Sequence, residues 1–182
     1  MKTYISILRG INVSGKNMIK MAELKKCFEN AGFKNINTYI QSGNIVFRDK
    51  EQDEKDMIHK IEGLINNHFS LSVPVIVRNT VEWSEVVAHN PFQGNDEIDI
   101  AKLHVTFLSD EPGPDRIELI KDLKFDPDLF VISGRTVYLY CPDGYGNTKI
   151  NNTYFENKLK VTATTRNWRT VNELMRLAEM MK

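Results

Sequence analysis

The sequence predicts an α+β protein in which a β-α-β-β-α-β pattern, followed by one further helix, occurs twice. Three observations support this prediction. Apolar residues recur at helical spacing in some segments and alternate or run continuously in short strand-like segments elsewhere. Gly, Asn, Ser and Pro lie between these segments, where turns are expected. Two short stretches of the first half have counterparts at equivalent places in the second half.

The first half begins with a predicted strand at 3–8 and ends with a short helix over 80–89. A helix is predicted from Met21 to Ala31, because its apolar residues recur every three or four positions, and Gly32 follows as a stop signal. The remaining predicted elements are strands at 36–41, 44–48 and 73–78, and a helix marked by apolar residues over 57–69.

The second half repeats this order of elements. It opens with a predicted strand at 102–108 and closes with a helix whose apolar stripe runs from Trp168 to Ala178. Between them we predict a helix through Ile117, Ile120 and Leu123, strands at 129–133 and 136–141, a short helix over 155–159 and a strand at 161–165.

Two sequence echoes indicate an internal duplication. "SGNIVF" at 42–47 resembles "SGRTVY" at 133–138, and "VRNTVEW" at 77–83 resembles "TRNWRTVNEL" at 165–174. The β-α-β-β-α-β order is that of a ferredoxin-like unit, so the sequence predicts two such units in tandem with antiparallel sheets. The predicted halves are 1–95 and 96–182, and the polar stretch between them contains Pro and Gly, which break helices.

Composition favours a soluble cytoplasmic protein. The 182 residues are 41% hydrophobic and 26% charged, as in globular proteins. No apolar run approaches the roughly 20 residues of a membrane helix, and the first twenty residues lack the apolar region of a signal peptide. The 2 cysteines are too few for a disulfide framework or a zinc site. Cys27 lies on an apolar helical stripe and is expected to be a buried thiol.

Charge is unevenly distributed although the net charge is zero. Counting Lys and Arg against Asp and Glu gives +6 for 1–50, −10 for 51–143 and +4 for 144–182. Both ends of the chain are therefore able to attract anionic ligands. The alternative is that these charges lie on solvated helix faces without a binding role.

Four sequence blocks carry a family resemblance: "LRGINVSGKN", "NTYIQSGNIVF", "YCPDGYGNTK" and "ATTRNWRTVNEL". Together they resemble the signature blocks of the bacterial domain-of-unknown-function family 1697, from Leu8 to the C-terminal helix. Two positions depart from the family pattern: Ser14 stands where a second Gly is usual, and Lys20 where a Pro is common. The resemblance implies duplicated ferredoxin-like halves and brings no established activity.

"LRGINVSGKN" also differs by one residue from the phosphate-binding P-loop, G-x-x-x-x-G-K-[ST]. Asn17 replaces the hydroxyl residue that would hold Mg²⁺. The predicted helix begins only at Met21, so Lys16 does not directly precede a helix N-terminus. An antiparallel sheet also lacks the parallel strands on which a P-loop lies. The sequence therefore argues against a P-loop NTPase.

The same loop also carries the residues of a simpler anion site. In a β-α-β-β-α-β unit the loop after the first strand and the β2–β3 turn lie at one end of the sheet, which brings two donor-rich segments together. The candidate ligand-binding residues are Arg9, Gly10, Asn12, Gly15, Lys16, Asn17, Gln41, Ser42, Gly43 and Asn44. The alternative is structural: Gly and Asn supply left-handed turns, while Asn12 and Gln41 tie the two loops together.

A second candidate cluster lies in the other half, where the loop after the strand at 136–141 is expected near the end of the last strand. Its candidate ligand-binding residues are Tyr145, Gly146, Lys149, Arg166 and Asn167. Tyr145 or Trp168 would stack on a base. The alternatives are that Asn167 caps the closing helix and that Trp168 belongs to the core.

The sequence leaves catalysis open. The four histidines lie far apart, no metal-ligand spacing is present, and no nucleophile motif is found. We therefore expect a non-catalytic binder of a phosphorylated ligand, nucleotide or nucleic acid, with no cofactor or metal, no membrane partner, and a monomeric state.

Two alternatives stay open. One is a small phosphatase or phosphotransferase, in which Arg9 holds the phosphate and Asn12 or Asn44 positions a water. The other is a protein-interaction scaffold.

Overall fold

The computed structural model describes residues 1–50 and 52–181. The chain divides into two compact units, one formed by Met1–Glu85 with the stretch from Glu173 onward, and the other by Val86–Asn172. Within the described ranges, no helix combines the length and apolar character that crossing a membrane requires.

The first unit contains a four-stranded antiparallel sheet with the strand order β2-β3-β1-β4. Its strands are β1 (Lys2–Leu8), β2 (Lys34–Tyr39), β3 (Asn44–Asp49) and β4 (Val75–Asn79), and its helices are α1 (Met21–Asn30) and α2 (Glu54–Phe69). α3 (Thr80–Ala88) follows β4 and includes the boundary between the two units. This order is that of a ferredoxin-like unit, as the sequence predicts.

Local signals explain where the helices of this unit begin and end. The Asp53 side chain accepts hydrogen bonds from the main-chain N–H groups of Lys55 and Asp56 and thereby caps α2. α2 ends where Ser70 adopts a left-handed conformation, with φ 55°. The predicted stop after α1 is confirmed, because Gly32 has φ 92° just beyond that helix.

Phe47 lies at the centre of an aromatic cluster in the core of this unit, and its side chain is fully buried. Its ring centroid is 4.8 Å from that of Phe33, 5.6 Å from that of Phe28 and 5.8 Å from that of Tyr4. Aromatic pairs at these separations add to the free energy gained from burying apolar area. The cluster joins β1 and β3 to α1 on one face of the sheet.

The second unit contains a second four-stranded antiparallel sheet, with the order β6-β7-β5-β8. Its strands are β5 (Leu103–Leu108), β6 (Leu129–Ser133), β7 (Thr136–Tyr140) and β8 (Ala163–Asn167), and its helices are α4 (Pro114–Glu118) and α5 (Asn152–Leu159). α6 (Trp168–Glu179) follows β8 and includes the second boundary between the units. The predicted α+β fold of two similar ferredoxin-like halves is therefore confirmed.

α4 is shorter than the apolar spacing predicts. The helix ends at Glu118, and the Ile120 N–H donates to the Ile117 carbonyl in a tighter turn. Ile120 is buried, but Leu123 is 48% exposed, so the third apolar position of the pattern does not face the core. Without that buried contact, helical hydrogen bonding alone does not extend so short a segment.

The second sequence echo corresponds to equivalent structure. Arg78 lies opposite Ile5 on the neighbouring first strand, and Arg166 lies opposite Val105 in the same way. Each arginine is the second-last residue of its strand, and the following asparagine ends that strand and immediately precedes a helix.

The first echo does not align residue by residue. Ser6 on β1 and Thr106 on β5 occupy equivalent positions. Ser6 lies opposite Ile45 and Thr106 lies opposite Val137, so Ile45 is structurally equivalent to Val137. The sequence echo instead matches Ile45 with Thr136. The offset of one arises because Gly43 directly precedes β3, whereas Arg135 separates Gly134 from β7. The duplication is thus correctly inferred from an echo whose residues are not structurally equivalent.

Candidate functional site

Two loops of the first unit meet at one end of its sheet, as the topology predicts. The Leu8 N–H donates to the Gly43 carbonyl at 2.9 Å, and the Arg9 N–H donates to the Pro74 carbonyl at 2.9 Å. Residues 9–17 and 41–44, which we call the two-loop rim, therefore lie side by side. All the candidate residues of the first predicted cluster belong to this rim.

The stretch that resembles a P-loop is a tight β-hairpin. Val13 and Lys16 form an antiparallel bridge, and the Lys16 N–H donates to the Val13 carbonyl at 2.9 Å. Between them, Ser14 and Gly15 both adopt left-handed conformations, with φ 51° and 74°, as a two-residue type I′ turn requires. The Lys16 N–H is therefore engaged within the hairpin, and α1 begins only at Met21. This geometry is not that of a P-loop.

Asn12 ties the two loops together. Its Nδ2 donates to the Gln41 carbonyl at 2.7 Å and to the Ile19 carbonyl at 2.9 Å, while its Oδ1 accepts from the Ile19 N–H at 2.8 Å. Both hydrogens of the Asn12 amide are therefore used inside the protein. The predicted alternative, in which Asn12 and Gln41 join the loops, is confirmed by these contacts.

The other two asparagines of the two-loop rim also bond within it or beside it. Asn17 Nδ2 donates to the Gly10 carbonyl at 3.0 Å. Asn44 Nδ2 donates to the Tyr39 carbonyl at 3.0 Å and to Ser42 Oγ at 2.9 Å. The rim is consequently preorganised by its own amides, and the donors that face solvent must come from other groups.

Several hydrogen-bond donors of the two-loop rim remain available to a ligand. Neither 9–17 nor 41–44 contains an Asp or Glu. The half-buried Arg9 and the exposed Lys16 supply positive charge, and Lys16 forms no ion pair within 1–50 and 52–181. Over the same ranges, the rim donors that make no hydrogen bond include the N–H groups of Gly10, Ser14 and Gly15 and the side chains of Lys16 and Gln41.

Exposed apolar side chains adjoin these donors. Val13 is 57% exposed, Met18 66% and Ile40 50%. Ile40 also has φ 50°, a left-handed conformation that is unfavourable for a β-branched residue. Such strain is often found at functional positions. Nothing in the sequence indicates it, because "NTYIQ" reads as a continuous strand.

Replacing Ile40 with Asn is expected to stabilise the protein by about 0.5–1 kcal/mol, because Asn tolerates the left-handed conformation better than Ile. Half of the Ile40 side chain is already in solvent, so little buried area is lost. Urea unfolding of the two proteins measures the difference. Equal or lower stability of Ile40→Asn would contradict the strain at this position.

In the second unit, Tyr145 is held in a polar network. Its hydroxyl donates to Thr165 Oγ1 at 3.0 Å and accepts from the Asn152 N–H at 3.2 Å. Its ring stacks on His104 with a centroid distance of 5.0 Å. Burial lowers the pKa of His104, which favours the neutral imidazole. One face of the Tyr145 ring is therefore already covered by a protein side chain.

Gly146, beside Tyr145, is exposed, as expected of a loop residue. Lys149, three residues further on, has mostly acidic neighbours. A cavity of about 580 Å³ borders Lys149 and includes Lys124 together with three carboxylates, Asp126, Asp128 and Asp143. The carboxylates outnumber the two lysines, so the cavity repels rather than attracts a phosphate. Between the two predicted clusters, the two-loop rim therefore has the charge that suits an anion better.

Arg166 and Asn167 have structural contacts. Arg166 is only 8% exposed, and its Nη1 donates to Thr164 Oγ1 at 3.0 Å and to the Thr165 carbonyl at 2.9 Å. Burial lowers the pKa of Arg166 to about 10. Asn167 Oδ1 accepts from the Thr170 N–H at 2.8 Å, which confirms its predicted role as the cap of α6.

Trp168 and the two cysteines are buried. Trp168 is 8% exposed, in agreement with the core alternative. Burial raises the pKa of Cys27, and it raises the pKa of Cys141 to about 11, so both thiols stay protonated at neutral pH.

Within residues 1–50 and 52–181, no group of His, Cys, Asp and Glu side chains has a geometry able to hold a metal ion.

Comparison with known proteins finds a matching family model and a similar solved structure. A family model described as "Protein of unknown function (DUF1697)" matches residues 1–138. The structure is similar to that of the conserved bacterial protein SP0830 from Streptococcus pneumoniae, with a TM-score of 0.75 and 21% identity over 97% of this chain and 98% of that one. At this identity the likeness shows the fold alone. No curated protein matches the sequence.

Proposed function

The chain belongs to the DUF1697 family, whose description names no activity, and we propose that it binds a phosphorylated ligand, nucleotide or nucleic acid, at the two-loop rim. The proposal is for binding without catalysis. The observation that carries it is the combination of charge and free donors in the rim. Arg9 and Lys16 adjoin N–H groups without internal partners, and no carboxylate lies in either loop.

The rim is suited to a phosphate because its donors are held in place before the ligand arrives. Asn12 ties the hairpin to the Gln41 main chain, so ordering the loop costs little free energy on binding. Each charge-assisted hydrogen bond to the anion then contributes about 1.5–3 kcal/mol. Ser14 and Gly15 form the hairpin tip, next to Lys16, and both residues are exposed.

The exposed apolar side chains favour a ligand with more than a bare phosphate. Val13 and Met18 flank Lys16 in the sequence, Ile40 directly precedes Gln41, and each is at least half exposed. A nucleoside attached to the phosphate would contact such side chains while the phosphate contacts Lys16. This arrangement supports a nucleotide or nucleic-acid ligand over inorganic phosphate.

Lys16→Glu is expected to abolish ligand binding, because it places a carboxylate where the phosphate would lie. Thermal unfolding of the full chain with phosphate, nucleoside mono- and triphosphates and ten-nucleotide DNA or RNA measures the effect. A ligand at a hundred times its Kd adds about 2.7 kcal/mol of stability. Lys50→Glu is the matched control. This exposed lysine follows β3, whose last residue pairs with Lys2 at the opposite end of the sheet.

Oligonucleotide binding is expected to weaken steeply as salt increases, in proportion to the phosphates contacted. Mononucleotide binding with no gain from a longer strand would identify a nucleotide site instead. If none of these compounds stabilises the wild-type chain, or if Lys16→Glu and Lys50→Glu reduce the stabilisation equally, the proposed site is wrong.

A further inference from the structure

We propose that the protein forms a homodimer through β6, with two copies of this strand pairing antiparallel so that two four-stranded sheets become one continuous sheet. This state differs from the monomer that the sequence favours. It is independent of the two-loop rim, because β6 belongs to the second unit and the rim belongs to the first.

β6 is an accessible edge of its sheet. It pairs with β7 on one side only. The edge strands β4 and β8 are mostly buried, whereas every residue of β6 is exposed or half-buried. An exposed edge presents unpaired main-chain N–H and C=O groups, which bind another strand unless the sequence prevents it.

The edge strand of the first unit, β2, shows how such pairing is prevented. It carries the charged Lys34, and its register shifts between Lys34 and Asn37, where Asn35 has φ 51°. A charge and a bulge are known ways to block strand addition. β6 has neither feature. Its register with β7 is regular throughout, its sequence "LFVIS" has no charge, and its outward residues Leu129 and Val131 are 44% and 40% exposed.

The backbone of β6 is arranged for self-pairing about Val131. Ser133 and Thr136 flank a two-residue turn, so Ser133, Val131 and Leu129 direct their main-chain groups toward β7. The N–H and C=O groups of Phe130 and Ile132 therefore point outward. When Val131 faces Val131 of a second copy, Phe130 lies opposite Ile132 of that copy. In each such pair, the N–H group of one residue donates to the carbonyl of the other and vice versa. The pair occurs twice, once on each side of the dyad.

Charge favours the antiparallel arrangement and a second copy as the occupant. Asp126 and Asp128 precede β6, and Arg135 follows it. Antiparallel pairing brings the acidic end of each strand beside the basic end of the other copy. Parallel pairing would bring like charges together, which is unfavourable. The segment is thus electrostatically complementary to itself in only one of the two orientations.

A cavity of about 410 Å³ lies beside β6 and extends the surface that a second copy would bury. Its lining combines six apolar side chains with four charged ones: Phe92, Leu123, Phe125, Leu129, Phe130 and Val131, and Lys121, Lys124, Asp126 and Asp128. A stable interface buries about 800 Å² on each partner, more than a five-residue strand provides alone. The cavity supplies the additional apolar area beyond the strand.

Sedimentation equilibrium of the full chain tests the proposal over a range of concentrations. We expect a monomer–dimer equilibrium that Val131→Lys weakens by about tenfold or more, because two lysines then face each other at the dyad. Val81→Lys is the matched control. Val81 is 68% exposed on α3, and the same substitution there is expected to leave the equilibrium unchanged.

Amide hydrogen exchange locates the interface in the same samples. The Phe130 and Ile132 amides are expected to exchange more slowly as the concentration rises, and this protection is expected to disappear in Val131→Lys. A chain that stays monomeric at high concentration would overturn the proposal. So would a dimer in which these two amides gain no protection, or one that Val131→Lys and Val81→Lys affect equally.

Discussion

Phe47→Ala is expected to lower the free energy of unfolding by about 3–5 kcal/mol, the usual cost of truncating a fully buried phenylalanine. Phe47 contacts three aromatic rings, those of Tyr4 on β1, Phe28 on α1 and Phe33 between α1 and β2, at centroid distances of 4.8–5.8 Å. Truncating Phe47 leaves a cavity that the three rings cannot fill, because they lie on different segments of the chain and do not move as one. Urea unfolding followed by tryptophan fluorescence measures the change.

Phe69→Ala is the matched control for this truncation. Phe69 lies at the end of α2 and is only half-buried, so removing the same atoms forfeits less buried area and leaves a space that solvent fills. Its effect is expected to be clearly smaller than that of Phe47→Ala. Equal losses of stability would show that the aromatic cluster is not the centre of the core in this unit.

The fold is largely predictable because apolar periodicity reflects burial on one face of each element. The strand predicted at 129–133 has those bounds in the structure, and turn residues follow it directly. α4 is the main exception. Ile117, Ile120 and Leu123 have helical spacing, but Leu123 faces solvent, and periodicity alone does not reveal which apolar residues are buried.

The two-loop rim is predictable in position but not in the roles of its residues. Chain topology alone places 9–17 beside 41–44. Whether an amide binds a ligand or the main chain depends on the loop path, which here includes left-handed conformations at Asn12, Ser14 and Asn17. These conformations direct the Asn12 side chain to the Ile19 and Gln41 main chains. No spacing rule in the sequence predicts such contacts.

The roles of Arg166 and Lys149 could not be predicted for a different reason. "TTRN" reads as an exposed strand end, yet Arg166 is 8% exposed because the strand is buried on the face to which this residue belongs. Lys149 has acidic neighbours that come from two loops, at 126–128 and at 143. Such neighbours are brought together only by the folded chain, so a count of local charge overstates the attraction for anions in this cluster.

Gly43→Ala is expected to destabilise the protein by about 2–5 kcal/mol, combining left-handed backbone strain with overpacking. Gly43 has φ 76°, and a Cβ there would lie 2.8 Å from Ile11 Cδ1 and 2.8 Å from Leu8 Cβ. Leu8 Cβ is fixed to the backbone of β1 and cannot move away as the end of a long side chain would. The Gly43 carbonyl also accepts from the Leu8 N–H, so any shift disturbs that bond.

Gly10→Ala separates the two contributions to this effect. Gly10 has a similar φ of 71°, but no atom lies within 4 Å of the position its Cβ would take. Its substitution is therefore expected to cost only the backbone strain, about 1 kcal/mol. Chemical denaturation of both variants measures the difference. A larger loss for Gly43→Ala would mean that close packing of the turn against β1 holds 41–44 beside the hairpin. Equal losses would mean that backbone conformation alone fixes the turn, and that the contact with Ile11 and Leu8 adds nothing to the rigidity of the two-loop rim.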